Sequence, residues 1–190
     1  MKNILLLILL IGSSAAYANE DNDKALRLLK VYSSNNPNDI GLQARLGDAY
    51  FSTKDIAAAK VSYQKASELQ KDYPGLAGKL GTIYSMTKEL SKSEDSFRLA
   101  SKLNPNNYDY LASLSSVLLA NKKYQDSIGF AKKALQVKAT SESYITLGTA
   151  YELSGKDENA LIAFQRAKDL GYSAEKIKTK IDQLNKKING

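Results

Sequence analysis

Apolar residues recur along most of this chain with a period of 33 or 34 residues. The group Leu-Gly-x-x-Tyr begins at Leu46, Leu80 and Leu147, and a related group, Leu-Ser-x-x-Leu, begins at Leu114. A fixed period of this length is typical of solenoids, in which a unit buries its apolar face only by stacking on its neighbours. The pattern therefore predicts a stack of similar units and governs the interpretation of the other motifs.

The second half of each period repeats in step with the first. A small residue is followed by a larger one four positions on, in most units an aromatic, and by a small one three positions further. Because side chains at these spacings lie on one helical face, each unit is predicted to be a helix, a short turn and a second helix. Small residues let the two helices approach closely, and the aromatics fill the space between them. The glycines of the first helix, Gly47, Gly81 and Gly148, are predicted to be packing positions of the same kind. The residues are Ala59, Tyr63 and Ala66; Ser93, Phe97 and Ala100; Ser127, Ala131 and Ala134; and Ala160, Phe164 and Ala167.

This spacing resembles the tetratricopeptide repeat (TPR), whose signature runs Trp-x-x-Leu-Gly-x-x-Tyr, then Ala-x-x-x-Phe, then Pro. The last unit matches best, with Tyr144, Leu147, Gly148, Tyr151, Ala160, Phe164 and Ala167 in the family's positions. The third unit departs most, because Ser115, Leu118 and Ala131 replace the glycine and both aromatics, and we expect a less tightly packed joint there. The resemblance covers residues 24–170 and implies an all-α, right-handed superhelical α-solenoid.

The resemblance implies one solenoid domain over residues 19–190. Four full units are predicted at 40–72, 74–105, 107–138 and 141–171, after a half unit whose single helix, over 20–37, caps the amino-terminal end. A helix over 173–190 is predicted to cap the other end, since Ile177, Ile181, Leu184 and Ile188 form one apolar stripe in a charged stretch.

The first 18 residues are predicted to be a secretory signal peptide. Lys2 precedes an unbroken apolar run over residues 4–11, and Ala16-Tyr17-Ala18 offers small residues where a signal peptidase reads them. An uncleaved membrane anchor is the alternative, but Gly12 and Ser13 interrupt a run already shorter than the ~20 residues that a spanning helix needs. Cysteine is absent, so no thiol can carry a lipid, and we expect a periplasmic or secreted protein.

The composition offers little for catalysis. The chain has no cysteine and no histidine, the commonest metal ligands, and histidine is also the usual general base near neutral pH. The acidic groups at 20–23, 94–95 and 157–158 are interpreted as solvated residues at helix starts, where negative charge suits the helix dipole. We therefore predict no enzyme, no cofactor and no metal site.

The formal net charge of +7 raises the question of an anionic partner. Nucleic acid is disfavoured because the lysines are spread along the chain and the predicted compartment is extracytoplasmic. The exception is the tail, with Lys176, Lys178, Lys180, Lys186 and Lys187. A solvated end cap is the simpler interpretation, and contact with anionic lipid head groups or acidic wall polymer is the alternative.

The resemblance places a partner-binding groove along the first helices of the units. The TPR clamp for a terminal carboxylate is not present, because its lysine positions hold Ala44, Gly78, Ala112 and Ile145. Apolar side chains and small hydroxyls recur there instead, which favours a peptide segment held by apolar anchors. For Leu119 and Leu153, packing against the neighbouring first helix is an equal alternative. The predicted groove residues are Arg45, Asp48, Phe51, Lys79, Thr82, Met86, Ser116, Leu119, Ile145, Thr149, Glu152 and Leu153.

The first functional hypothesis is thus a non-enzymatic, exported scaffold or adaptor that holds a segment of another protein, for instance in envelope, pilus or secretion-machine assembly. The alternatives are a self-associating structural protein and a secreted effector that binds a host protein. An enzyme is the most remote reading.

Overall fold

The computed structural model describes residues 15–73, 75–172 and 175–189, and within these ranges the chain forms ten α-helices and no strand. Residues 1–14, which include most of the predicted signal peptide, lie outside the described residues. The helices are α1 (Ala15–Asn35), α2 (Ile40–Ser52), α3 (Ile56–Leu69), α4 (Leu76–Met86), α5 (Leu90–Leu103), α6 (Tyr108–Ala120), α7 (Tyr124–Val137), α8 (Ser141–Leu153), α9 (Asp157–Asp169) and α10 (Glu175–Asn189).

These helices form two compact units, one ending at Ile83 and the other beginning at Tyr84. In the first unit α1 packs on α2, and α2 packs on α3. In the second, each helix from α5 to α10 packs on the next one, and α6 also packs on α8. Packing restricted to near neighbours in sequence is the arrangement of a helical solenoid. The predicted all-α fold of helix-turn-helix units is confirmed.

Several helices begin with the same type of cap. Asp39, Asp55 and Asn107 each accept a hydrogen bond from the backbone amide three residues later, at 2.9 to 3.0 Å. Thr140 does the same for α8 at 3.2 Å. A side-chain oxygen here satisfies an amide that has no partner within its helix. The caps fix where α2, α3, α6 and α8 start.

Glycines in the first helices are packing positions, as the sequence predicts. A Cβ added at Gly47 would lie 2.5 Å from Tyr63 Cδ1, and one added at Gly148 would lie 2.7 Å from Phe164 Cε1. Tyr63 and Phe164 are both buried. The ring of the second helix therefore occupies the space that a side chain on the first helix would need.

The third repeat joins its two helices differently. Ser115 Oγ on α6 donates to the Ser127 carbonyl oxygen at 3.1 Å, and Ser127 Oγ on α7 donates to the Ser115 carbonyl oxygen at 2.9 Å. Both serines are buried, and so are Leu114 and Leu118 of α6. The expectation of a loose joint therefore needs correction: the two helices are held by reciprocal hydrogen bonds, where the first and fourth repeats use a glycine against a ring.

The turn inside each repeat has the same unusual backbone. Lys54, Lys88 and Lys122 have φ of 63°, 61° and 60°, and Gly155 has φ of 76° at the equivalent place in the fourth repeat. The amide that follows each of these residues donates to the carbonyl five positions back, as from Lys123 to Leu118 at 2.8 Å. This is a Schellman helix end, which requires a left-handed residue and is usually closed by glycine. The sequence analysis missed these lysines, although they recur at the repeat period.

Replacing Lys122 with glycine is expected to stabilise the fold by about 0.5–1 kcal/mol, because glycine adopts positive φ without the strain of a Cβ. Gly155→Lys is the matched control: a Cβ there meets no atom within 4 Å, so only the backbone strain changes. It is expected to destabilise by a similar amount. Urea unfolding followed by circular dichroism measures both, and a Lys122→Gly protein less stable than the parent would contradict the account.

The sequence predictions for the two terminal helices have different outcomes. In α10, Ile177, Ile181 and Leu184 are buried and pack in the same core as Phe164, so the predicted apolar stripe faces inward. The acidic residues 20–23, predicted to precede a helix, lie within α1, which extends from Ala15. In the chain that retains residues 1–18 this group therefore lies inside the helix, and its interpretation as a helix-start cluster is wrong there.

Candidate functional site

The candidate residues of the first unit lie on α2 and α4. Arg45 and Thr82 are exposed, and Phe51 keeps 38% of its surface exposed. Thr82 donates its hydroxyl hydrogen to the Gly78 carbonyl oxygen at 3.1 Å, within its own helix. These three residues are open to a partner.

Asp48 and Lys79, also predicted groove residues, bind each other. Lys79 Nζ forms an ion pair with Asp48 Oδ1, and the Tyr63 hydroxyl donates to the same oxygen at 2.6 Å. Burial of Tyr63, then its hydrogen bond to the Asp48 carboxylate and the charge of that carboxylate, all raise the pKa of the phenol. Lys79 also lies over the Tyr63 ring, 5.6 Å from its centroid. The cluster holds α2, α3 and α4 together.

In the second unit the predicted residues separate into two groups. Met86 and Leu153 have 54% and 53% of their surface exposed, and Ser116 is exposed as well. Leu119 and Ile145 instead pack against the core formed by α7 to α10, and Thr149 is half-buried. The two alternatives for Leu119 and Leu153 thus divide: the first packs internally and the second faces solvent.

Glu152 repeats the arrangement seen at Asp48. Lys180 Nζ on α10 forms an ion pair with Glu152 Oε2 and lies 5.5 Å from the centroid of the Phe164 ring. Lys180 is three repeat periods after Lys79, so α10 occupies the position of a first helix in a further unit. Glu152 therefore secures the cap and is not a free groove carboxylate.

A small pocket opens between α6 and α8, where Ala131 of α7 replaces the aromatic of the other repeats. Its volume is about 50 Å³. The Tyr108 hydroxyl lies 2.7 Å from Thr140 Oγ1 and 3.0 Å from Ser143 Oγ at this site. The lining residues are Tyr108, Ala112, Ser115, Ser116, Ala131, Glu142, Ser143 and Thr146. We call this the hydroxyl pocket; of its residues, the sequence analysis had placed Ala112 and Ser116 along the groove.

The hydroxyl pocket presents mainly hydrogen-bond acceptors. Ser116 and Thr146 donate their hydroxyl hydrogens to the carbonyl oxygens of Ala112 and Glu142, each at 3.1 Å. Their oxygens retain lone pairs, and the exposed Glu142 carboxylate adds a negative charge at the rim. The site is therefore complementary to a donor such as a peptide N–H or an ammonium group.

Glu94 is a buried charge and not a solvated helix-start residue, so the sequence interpretation was wrong here. Only 7% of its side chain is exposed, and it lies in the second turn of α5. Lys123 Nζ donates to both carboxylate oxygens at 2.9 Å, Asn121 Nδ2 to Oε2 at 2.9 Å, and Arg98 Nε to Oε1 at 3.0 Å. Burial would raise the pKa of this carboxyl, but the three donors outweigh it and lower the pKa. The cluster ties α5 to the turn between α6 and α7.

The tail lysines are partly used within the fold. Lys180 pairs with Glu152, and Lys187 Nζ lies 2.6 Å from Asp157 Oδ2 on α9. Lys178 is 3.9 Å from Glu175 of its own helix, and Lys186 is exposed. The cross-helix pairs hold α10 onto the preceding repeat, which accounts for part of the charge without an external anion.

Among the described residues, no group of three or more acidic, cysteine or histidine side chains is arranged to hold a metal ion. None of the described helices combines the length and the hydrophobicity that crossing a membrane requires.

These features define a helical-repeat protein, and comparison with known families specifies the repeat. The tetratricopeptide repeat model matches residues 40–73 and 141–170, the first and fourth repeats of the sequence analysis. The presence of tetratricopeptide repeats in this chain is therefore confirmed. No curated protein matches the chain.

Solved structures share the fold at low sequence identity. YrrB, described as a TPR protein with an unusual peptide-binding site, superposes with a TM-score of 0.79 at 16% identity, covering 85% of this chain and 84% of its own. A crystal structure of MamA superposes with a TM-score of 0.75 at 24% identity, covering 90% of this chain and 99% of its own. A second MamA structure gives 0.75 at 24% identity over 83% of this chain and 90% of its own.

Proposed function

We propose that this chain is a non-enzymatic adaptor that binds a peptide segment of another protein on α6 and α8. The observation that carries the proposal is the hydroxyl pocket, an indentation on two adjacent first helices whose polar atoms remain available as acceptors. An extended or helical segment offers backbone and side-chain donors to such a surface. Leu153, exposed on α8, provides an apolar contact beyond the pocket.

The composition and the comparison support a peptide ligand. The chain contains no histidine or cysteine to carry catalysis, and the described residues offer no metal cluster. A protein of the same fold, YrrB, is described as having a peptide-binding site. The volume of about 50 Å³ suits one small group and is well below the several hundred Å³ of a cofactor site.

Photocrosslinking tests this proposal. A benzophenone amino acid in place of Ser116 is expected to capture a partner protein in the native host, because Ser116 lines the hydroxyl pocket. Gln136 on α7 is exposed and lies outside the pocket, so the same replacement there is the matched control. Mass spectrometry of the crosslinked bands identifies both the partner and the attached segment.

A second variant separates specific binding from proximity. Ala112→Arg fills the pocket and adds a positive charge where a donor is proposed to bind, so crosslinking from Leu153 is expected to fall strongly. The same partner captured equally from Ser116 and Gln136 would contradict the proposal. Crosslinks only between copies of this chain would favour the self-associating alternative.

We propose further that the chain is exported. The charged start, the apolar run over residues 4–11 and the small residues Ala16 and Ala18 support a cleaved signal peptide. Mass spectrometry of the protein purified from its host is expected to find Asn19 as the first residue, in a periplasmic or culture fraction. A protein that retains residues 1–18 in the cytoplasmic fraction would overturn the proposed location and leave peptide binding untouched. A role in envelope, pilus or secretion-machine assembly is the functional context that we propose on this basis.

A further inference from the structure

A second pocket, larger than the hydroxyl pocket, lies mainly between α5 and α7, the second helices of their repeats. It is separate from the residues that carry the proposed peptide site. It has a volume of about 300 Å³ and is formed by α5, α7 and the beginning of α6. Three cationic residues, Arg98, Lys102 and Lys133, line it, and no acidic residue does. We call it the basic pocket.

The inner wall of the basic pocket is apolar and well supported. Leu111 is only 3% exposed, and Phe130 packs against the core of Phe97, Leu114, Val117 and Leu118. Pro105 closes the pocket at the turn between α5 and α6. Because these side chains are held by the core, the apolar surface is present before any ligand binds.

The three cations differ in how they are held. Arg98 is fixed by Glu94 and by Asp126, whose Oδ2 lies 2.9 Å from Arg98 Nη2. Lys102 and Lys133 form no ion pair with any described residue. Lys133 Nζ lies 5.0 Å from the centroid of the Phe130 ring, and Arg98 Cζ lies 5.6 Å from it. Two positive charges thus stand beside an apolar wall, and no carboxylate of the described residues forms an ion pair with them.

We propose that the basic pocket binds an acidic peptide segment that carries one aromatic or large aliphatic side chain. The apolar side chain packs on Leu111 and Phe130, and neighbouring carboxylates pair with Lys102 and Lys133. A volume of about 300 Å³ is at the lower end for ligand pockets and accommodates one such side chain.

The test uses end-blocked pentapeptides and the complete chain. The probe has four glutamates around a central phenylalanine; one comparison peptide has glutamines for the glutamates, and another has alanine for the phenylalanine. Isothermal titration and amide chemical shifts are expected to show about tenfold weaker binding for each comparison peptide. One lacks the carboxylates that pair with the lysines, and the other lacks the side chain that packs on the apolar wall. The shifts are expected at Lys102, Leu111, Phe130 and Lys133.

Charge variants locate the site. Lys102→Glu combined with Lys133→Glu is expected to weaken binding of the acidic probe at least about tenfold. Lys168→Glu combined with Lys186→Glu changes the net charge equally at exposed lysines outside the pocket and is expected to have little effect. Lys102→Gln combined with Lys133→Gln provides a second variant without added negative charge, and circular dichroism confirms that each protein is folded.

Several results would overturn the proposal. These are absence of binding at about 1 mM probe, equal affinity for the glutamate and glutamine peptides, and equal loss in the two charge-reversed proteins. Vesicles of anionic phosphatidylglycerol test the alternative that the basic pocket binds a lipid surface. Binding to these vesicles that depends on Lys102 and Lys133, without peptide binding, would assign the pocket to a lipid surface and reject the peptide.

Discussion

Replacing Gly148 with serine is expected to destabilise the protein by about 3 kcal/mol, the upper part of the range for overpacked cores. The added Cβ would lie 2.7 Å from Phe164 Cε1 and 2.8 Å from Cδ1, and Phe164 is completely buried. The ring cannot move away without disturbing the core that it shares with Tyr151 and Ile181. Gly129→Ser is the control, because a Cβ at Gly129 meets no atom within 4 Å and serine favours a helix over glycine.

The third repeat supplies the rescue for this variant. There Ser115 and Ala131 occupy the positions of Gly148 and Phe164, and the serine hydroxyl donates to a carbonyl of the second helix. Phe164→Ala alone is expected to cost about 4 kcal/mol through the cavity it leaves. With both changes, the serine fills part of that cavity, so the double variant is expected to be about 3 kcal/mol more stable than the sum of the two losses predicts.

Urea unfolding of the four proteins, followed by circular dichroism, completes the cycle. Additive losses would mean that glycine and the ring are not coupled, and that the serine-alanine pair of the third repeat is accidental. Coupling of the expected size would show that the repeat tolerates two alternative joints between its helices.

Packing within a repeat could be predicted from the sequence. The helix pairs and the glycine positions followed from residue size at a fixed period, because packing within one repeat involves residues close in sequence. Gly47 against Tyr63 is such a case, because the two residues are 16 positions apart. For the same reason the apolar stripe of α10 was predictable from Ile177, Ile181 and Leu184 alone.

The polar contacts between repeats were not predicted. Asp48 and Lys79 are 31 residues apart, and Glu152 and Lys180 are 28 apart. Whether two long polar side chains meet can be predicted only when the angle between successive first helices is known. The periodic pattern does not specify that angle. A signal was nevertheless present: these pairs are separated by slightly less than one repeat. A search for opposite charges at that separation would have removed Asp48, Lys79 and Glu152 from the list of free groove residues.

The hydroxyl pocket illustrates the opposite difficulty. The sequence shows Ala131 in place of an aromatic, which indicated missing volume but not its location. In the structure part of that volume is replaced by the hydrogen bonds of Ser115 and Ser127, and a remainder opens between α6 and α8. A small residue in place of an aromatic one leaves empty volume, which produces a loose core if it stays inside and a pocket if it opens to the surface. The sequence does not show which of the two occurs.

Glu94→Gln is expected to destabilise the protein by about 2 kcal/mol at neutral pH, because a nearly buried carboxylate then no longer accepts charged hydrogen bonds. This loss of stability is smaller than for a fully buried ion pair. Lys123 and Arg98 have 53% and 39% of their side chains exposed, so water can solvate them when the carboxylate is removed. Glu68→Gln, at an exposed glutamate without a cross-helix partner among the described ion pairs, is the control and is expected to change little.

The effect of Glu94 is expected to depend on pH with a defined sign. Its carboxyl has a lowered pKa in the folded protein, so the folded state binds the proton less readily than the unfolded chain does. The stabilisation is therefore present above the unfolded pKa, about 4.3 for a glutamate, and is lost as the pH falls through the lower folded value. The stability difference between the parent and Glu94→Gln should accordingly be largest near pH 6 and shrink toward pH 3. Urea midpoints at intervals across this range measure it, and a difference that stays constant would show that the Glu94 charge does not hold α5 to the following turn.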